Sequence, residues 1–211
     1  MYKVPYFRET DREVIDEFMR AHPFALIMGT GFDGKPVATQ APVLFDERDG
    51  QLILTGHILR GSDHWHGFGA NPDVLAVFTG PNCSVKASWY LGLESGGTWN
   101  YVSVQAKGTV RLLDQPALVN VLKRLTAQVE GDANSGSNFE DLSDAYTSKM
   151  LPAIQAFEIT VTNLDAIFKL SQNRDEASYD NVMEKLTERG GNSAAIAEMM
   201  LKRREKLFAD S

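Results

Sequence analysis

Apolar and polar positions change period several times along this chain, and each change marks an element. Val14, Ile15, Phe18 and Met19 recur at helical spacing behind Thr10-Asp11-Arg12-Glu13, which reads as a capping box. They predict an amphipathic helix over about 11–21. Extended stretches follow at 24–30, 36–45 and 51–57, separated by the turn signals Asp33-Gly34 and Asp49-Gly50, so three strands in an antiparallel meander are expected. After a polar stretch holding His64, Trp65 and His66, strands are predicted at 74–78 and 83–90 with Gly80-Pro81 breaking them. Residues 91–97 read as loop, and 99–113 as one long strand. Asp114 is placed to cap a helix whose Leu118, Val121, Leu122, Leu125 and Val129 form an apolar stripe. A polar linker at 131–138 precedes two more strands at 156–162 and 166–170, and the tail over 176–208 reads as two helices split by Gly190-Gly191. Seven or eight strands with helices inserted between and after them predict an α+β protein built on a closed or split β-barrel. The organisation expected is a barrel domain over 1–175 with a helical extension over 176–211.

Composition narrows the function classes. The 211 residues are 43% hydrophobic and contain no run long enough for a membrane helix. Cys83 is the only cysteine, which removes disulfide scaffolds, CxxC redox pairs and cysteine-rich zinc sites. The first residues lack the apolar core of a secretory signal, so a cytoplasmic protein without a membrane partner is expected. Twenty-one Lys and Arg stand against 28 Asp and Glu, a formal charge of -7, which argues against a protein that grips nucleic acid through its phosphates. The apolar strands at 24–30 and 74–78 offer more apolar face than one small barrel covers, and a dimer is expected.

Candidate chemistry is concentrated in a few places. His57, Asp63, His64 and His66 fall short of the ligand pattern of a zinc site, so no metal is expected. Cys83 reads as a buried, inert thiol. Neither GxGxxG after a strand nor GxxxxGK[ST] is present. Ser88-Trp89-Tyr90 and Thr98-Trp99-Asn100-Tyr101, however, hold two of the three tryptophans and two of the six tyrosines, interleaved with Ser, Thr and Asn. Such residues suit a flat heteroaromatic ligand better than an apolar core. Lys169-Leu170-Ser171-Gln172-Asn173-Arg174 closes an apolar strand with cations and amides able to meet a phosphate or a polar ring edge, and Arg60 and Ser62 supply a further anion contact.

Together with Gly80-Pro81 and Phe157-Glu158-Ile159, these motifs resemble, in order and spacing over about residues 1–190, those of the PaiB-type FMN-binding negative transcriptional regulators. The resemblance implies a flavin-binding split barrel related to the pyridoxamine-phosphate-oxidase group. It further implies a homodimer with FMN between the subunits and a role in repressing protease and sporulation genes. Carried over residue by residue, it assigns Thr55, His57 and Arg60 to the flavin phosphate and ribityl chain. It also assigns Trp89, Tyr90, Trp99 and Asn100, and Lys169, Gln172, Asn173 and Arg174, to the cofactor site. Two segments depart from the family pattern, 82–88 and 56–62. A flavin-dependent oxidoreductase is the alternative function, although no residue identifies a general acid or base. Haem binding ranks lowest, because all four histidines lie at or before His66.

The two-helix tail superficially suggests a helix-turn-helix, with Lys202, Arg203, Arg204 and Lys206 as the basic cluster. Residues 171–211 nevertheless carry seven Lys or Arg against eight Asp or Glu, and the second helix begins Ser193-Ala194-Ala195-Ile196-Ala197 with little to read a base. Direct DNA binding is therefore not expected, and any regulation is expected to be indirect.

Overall fold

Eight strands and six helices occupy residues 4–92 and 96–209, which are the residues described by the computed structural model. The strands are β1 (Arg8–Glu9), β2 (Phe24–Thr30), β3 (Pro36–Pro42), β4 (Leu44–Arg48), β5 (Gln51–Leu59), β6 (Asp73–Val85), β7 (Thr98–Leu112) and β8 (Ile154–Lys169). The helices are α1 (Arg12–Ala21), α2 (Asp63–Ala70), α3 (Gln115–Glu130), α4 (Asp144–Met150), α5 (Glu176–Arg189) and α6 (Gly191–Phe208). The strand path runs β3-β2-β6-β7-β8-β5-β4, with β1 paired to β8. This antiparallel arrangement with peripheral helices is a split β-barrel, as expected. The chain forms two compact units: the first comprises Met1–Phe18, Thr79–Val104 and Asp165–Ser211, the second Met19–Phe78 and Gln105–Leu164. β6, β7 and β8 contribute residues to both, and the two C-terminal helices fall in the first unit.

In the second unit, β2 alternates as a half-buried strand must: Ala25 and Ile27 are buried while Phe24 and Met28 are exposed. It pairs β3 from Phe24↔Pro42 to Thr30↔Pro36, across a turn in which the Gly31 N–H donates to the Lys35 carbonyl at 2.7 Å. The β4–β5 hairpin turns on Asp49 (φ 54°) and Gly50 (φ 74°), the paired left-handed residues of a tight primed turn. The stretch 36–45 is two strands instead of the single one expected. Pro42 has no N–H to continue the ladder, and Val43 donates to the Pro23 carbonyl at 2.9 Å instead. Strands β3 and β4 consequently end up at opposite ends of the strand path, and the Pro42 carbonyl comes back against β5. A Cβ on Gly56 would sit 2.8 Å from that oxygen and from the Phe157 ring, so this contact requires glycine. Helix α3, capped by Asp114 through the Ala117 N–H at 3.0 Å, buries Leu118, Val121, Leu122 and Leu125 against Leu44, Phe139 and Ala156. Each such side chain contributes about 1.5–3 kcal/mol. Val129 is 78% exposed, so the stripe ends one turn earlier than its spacing suggests.

Further departures have local causes. Asp11 caps α1, accepting from the Glu13 N–H at 3.0 Å, whereas Thr10 N–H is held by Glu9 Oε1. Strand β6 runs through Gly80-Pro81, and its pairing with β2 covers only Leu75–Val77, so Pro81 interrupts no bond of that ladder. Strand β8 is likewise one strand, not two. Helices α2 and α4 stand where only polar connection is legible, both capped by serines, Ser62 and Ser143. Within the loop expected over 91–97, residues 93–95 lie outside the described residues.

In the first unit, α5 and α6 meet through Tyr179, Val182, Leu186, Ile196 and Met200, all buried, and the Tyr179 hydroxyl donates to the Met200 carbonyl at 2.9 Å. Gly190 and Gly191, at φ 76° and 54°, separate the helices as expected. Cys83 is buried, and burial raises its thiol pKa, consistent with an unreactive role.

Candidate functional site

The residues expected to hold a ligand form two sets, one in each unit. In the second unit, Thr55 and His57 are two apart on β5 and so share a face of the sheet, opposite Glu158 and Ala156 of β8. Thr55 is 6% exposed, and its Oγ1 and the His57 Nδ1 are buried without a hydrogen-bond partner among the described residues. Burial pushes the His57 pKa below its ordinary value, keeping the ring neutral. Beyond the strand, Arg60 is anchored by its backbone N–H to the Ala153 carbonyl and by Nε to the Ile154 carbonyl, both at 2.9 Å. Its terminal amino groups are engaged in no ion pair among the described residues. Ser62 follows, donating to the Leu59 carbonyl at 2.8 Å and accepting from the Trp65 N–H, which starts α2.

The same unit holds a charge cluster that sequence reasoning did not foresee. Glu158 is buried and receives Arg48 through two bonds of 3.1 and 3.0 Å and Arg111 Nε at 3.0 Å. The Arg48 bonds, then Arg111, hold its carboxyl below the usual glutamate range despite burial. A lone glutamate within the apolar stretch Phe157-Glu158-Ile159 was the available signal, since a buried carboxylate demands a cationic partner.

In the first unit, the motif stretches come together. Arg174 places its guanidinium 3.9 Å from the centre of the Tyr90 ring, while the buried Tyr90 Oη has no hydrogen-bond partner among the described residues. Trp89 is faced by Arg189 at 4.5 Å and Lys86 at 5.9 Å, and its carbonyl accepts from Asn181 Nδ2 at 2.7 Å. Leu91 N–H donates to Ser178 Oγ at 2.8 Å, fixing the end of the Ser88-Trp89-Tyr90 segment to α5. Lys169 bonds Thr98 Oγ1 and lies 5.7 Å over the Phe7 ring; burial, then the nearby Arg174 charge, lowers its pKa. Asn100 is fully buried, with Nδ2 3.0 Å and Oδ1 3.1 Å from Ser171 Oγ. Gln172 is used locally, accepting from Leu170 N–H at 2.7 Å and donating to the Phe168 carbonyl. Trp99 and Asn173 are exposed. His64 and His66 lie on α2, and no group of three or more metal-ligating side chains occurs among the described residues.

Each set carries the kinds of group a phosphorylated, flat heteroaromatic ligand uses. In the second unit Arg60 supplies a cation, and Thr55 and His57 hold buried polar atoms without a partner among the described residues; in the first, Lys169 and Arg174 supply cations, Trp89, Tyr90 and Trp99 ring faces, and Tyr90 one such buried atom.

Comparison with known proteins agrees with this chemistry. Residues 1–163 match the family described as "Putative FMN-binding domain". The "Protease synthase and sporulation protein PAI 2" of Bacillus subtilis is 35% identical over 95% of this chain and 96% of its own. Among solved structures, a flavocytochrome from Azotobacter vinelandii superposes with a TM-score of 0.58 at 15% identity, over 80% of this chain and 72% of that one. The FAD and heme binding protein from Mycobacterium smegmatis gives 0.56 at 20% identity, over 77% and 73%. The structural likenesses show the split-barrel fold, and the sequence matches show the family. No helix among the described residues is long and apolar enough to cross a membrane. The chain belongs to the family described as "Putative FMN-binding domain", is a relative of the Bacillus subtilis PAI 2 protein, and has FMN as its cofactor.

Proposed function

We propose that this chain acts as a homodimeric FMN-binding regulator of the PAI 2 kind, with FMN at the subunit interface and with its regulatory effect exerted indirectly. The observation that carries the reading is the identity of the unsatisfied groups. Four buried side-chain polar atoms lack a hydrogen-bond partner among the described residues, and three of them, Thr55 Oγ1, His57 Nδ1 and Tyr90 Oη, belong to the flavin set expected from sequence. Buried polar groups are normally satisfied, so such atoms mark where a ligand completes the structure. Bound FMN supplies a ring that exchanges electrons. The protein's part is to receive it. Arg60 meets the phosphate, with Thr55 and His57 hydrogen-bonding the polar chain. Lys169 and Arg174 meet an anionic or polar edge, and Trp89, Tyr90 and Trp99 cover ring faces. Asn173, exposed beside them, completes the contacts, while Asn100 and Gln172 stand behind them with their amides bonded within the chain.

Indirect action is supported by what occupies the basic cluster of α6. Arg203 pairs with Glu9 at 2.9 Å, and Arg204 with Asp180 at 2.6 Å and Glu176 at 2.7 Å. Lys202 lies 3.9 Å from Glu17. Cations neutralised within their own chain release few counterions from DNA. Dimerisation is supported by Phe24, 58% exposed, and Met28 on the outward face of β2.

The test is titration of apoprotein with FMN, followed by flavin fluorescence. R60A and R174A should each weaken binding by about 1–3 kcal/mol for a charge-assisted contact. Unchanged affinity in both variants contradicts the assignment. Sedimentation of a stable monomer at micromolar concentration contradicts the dimer, and submicromolar sequence-selective DNA binding at physiological salt contradicts indirect action.

A further inference from the structure

The motif residues of the first unit differ sharply in what they have left to offer a ligand. Asn100 is wholly enclosed, and both ends of its amide are spent on a single hydroxyl, Ser171 Oγ, with Nδ2 also 3.7 Å from Met200 Sδ. Ser171, only 2% exposed, has φ 65°, a left-handed conformation that a non-glycine residue holds only when its surroundings impose it. Gln172 folds its amide back onto the Leu170 N–H and the Phe168 carbonyl, so it occupies the place of a neighbouring strand at the end of β8. The next steps of the chain depend on this turn. Arg174 N–H donates to the Ser171 carbonyl at 3.0 Å, the Arg174 guanidinium reaches Tyr90, and Asp175 caps α5 through the Ser178 N–H at 2.8 Å.

We infer that Asn100, Ser171 and Gln172 are positioning residues that never touch the flavin. They lock a left-handed turn, and that turn delivers Arg174 onto Tyr90 as the ligand-facing pair. The inference rests on the FMN reading for its ligand but concerns this chain's own conformation, and it divides the sequence motif into a scaffold half and a contact half.

A double-variant cycle separates this from direct contact. N100A strands the Ser171 hydroxyl and frees the strained turn, so it should lower the apoprotein Tm by about 4 °C and FMN affinity by about tenfold. Glycine adopts φ 65° without strain and carries no hydroxyl to orphan, so N100A/S171G should regain at least half of both losses. R174A should weaken FMN binding with little change in apoprotein Tm, and S171G should not rescue it. S171A, which keeps the strain and loses the hydroxyl, should be less stable than S171G. Hydrogen exchange at residues 169–175 should rise in N100A and fall back in the double variant. The inference is overturned if N100A loses affinity while Tm and exchange stay at parent values, or if S171G restores neither. Should the parent fail to bind FMN, the FMN reading fails. The Tm order and exchange pattern of the apoprotein then decide the positioning role by themselves. Should N100A not fold, the S171A and S171G comparison decides it.

Discussion

The two units treat their polar groups in opposite ways. In the second, Thr55 Oγ1, His57 Nδ1 and Trp65 Nε1 are buried without hydrogen-bond partners among the described residues, although the surrounding barrel and α3 are conventionally packed. In the first, the buried amides and the segment around Trp89 are bonded within the unit: Asn100 to Ser171, Gln172 to β8, Leu91 to Ser178 and Trp89 to Asn181, while Tyr90 Oη has no partner among the described residues. A motif that looks uniform in sequence thus contains two kinds of residue. Those with spent hydrogen bonds build the frame, and those with unspent ones await a ligand.

The contrast can be broken most severely at Glu158, the one buried carboxylate of the second unit whose bonds are all made. E158A should cost about 2 kcal/mol, the worth of its charge-assisted bonds to Arg48 and Arg111, whose guanidinium groups stay partly in solvent when the carboxylate is gone. Its partners hold the folded pKa below the ordinary 4.5, so the stabilisation is present above that value and lost as pH falls through the folded pKa. Urea melts of parent and E158A should therefore converge in acid and separate at neutral pH. A smaller effect is expected in the first unit from R204A. The Arg204 and Asp180 side chains are both about one-third exposed, and loss of the pair should lower Tm by only about 2 °C. DNA affinity should not change. The smallest effect is at His57. Its folded pKa is lowered by burial, so the neutral ring contributes fully above about pH 6.5 and the unfolded chain takes up the proton first as pH drops. H57Q should flatten the fall in Tm between about pH 7.5 and 5.5; an unchanged slope would remove His57 from the buried, unsatisfied set.

How much of this was legible in the sequence depends on the range of the interaction. Period-two alternation and turn pairs such as Asp49-Gly50 are local, and they revealed the hairpins and the split-barrel class. Helix α2 was hidden because Asp63-His64-Trp65-His66-Gly67-Phe68-Gly69-Ala70 has no apolar stripe. Gly67 is there for a tertiary reason, since a Cβ would lie 2.8 Å from the Thr30 carbonyl. β6 continues through Pro81 and β8 through Asn163, where local turn signals suggested breaks. At the candidate site, motif order pointed to Trp89, Tyr90 and Arg174, which the fold does bring together. It could not reveal that Glu158 gathers arginines from positions 48 and 111, nor that Asn100 spends its amide on a residue 71 positions away.

The central claim is that the unsatisfied buried atoms are the ligand's partners, and Thr55 tests it most directly. T55V keeps the side chain's shape and removes a buried hydroxyl that has no partner among the described residues. In the apoprotein this should leave Tm unchanged or slightly raised, while FMN affinity falls by about fivefold, the worth of roughly one hydrogen bond. A T55V apoprotein that melts lower than the parent yet binds FMN equally well would show that the hydroxyl serves the fold and not the flavin.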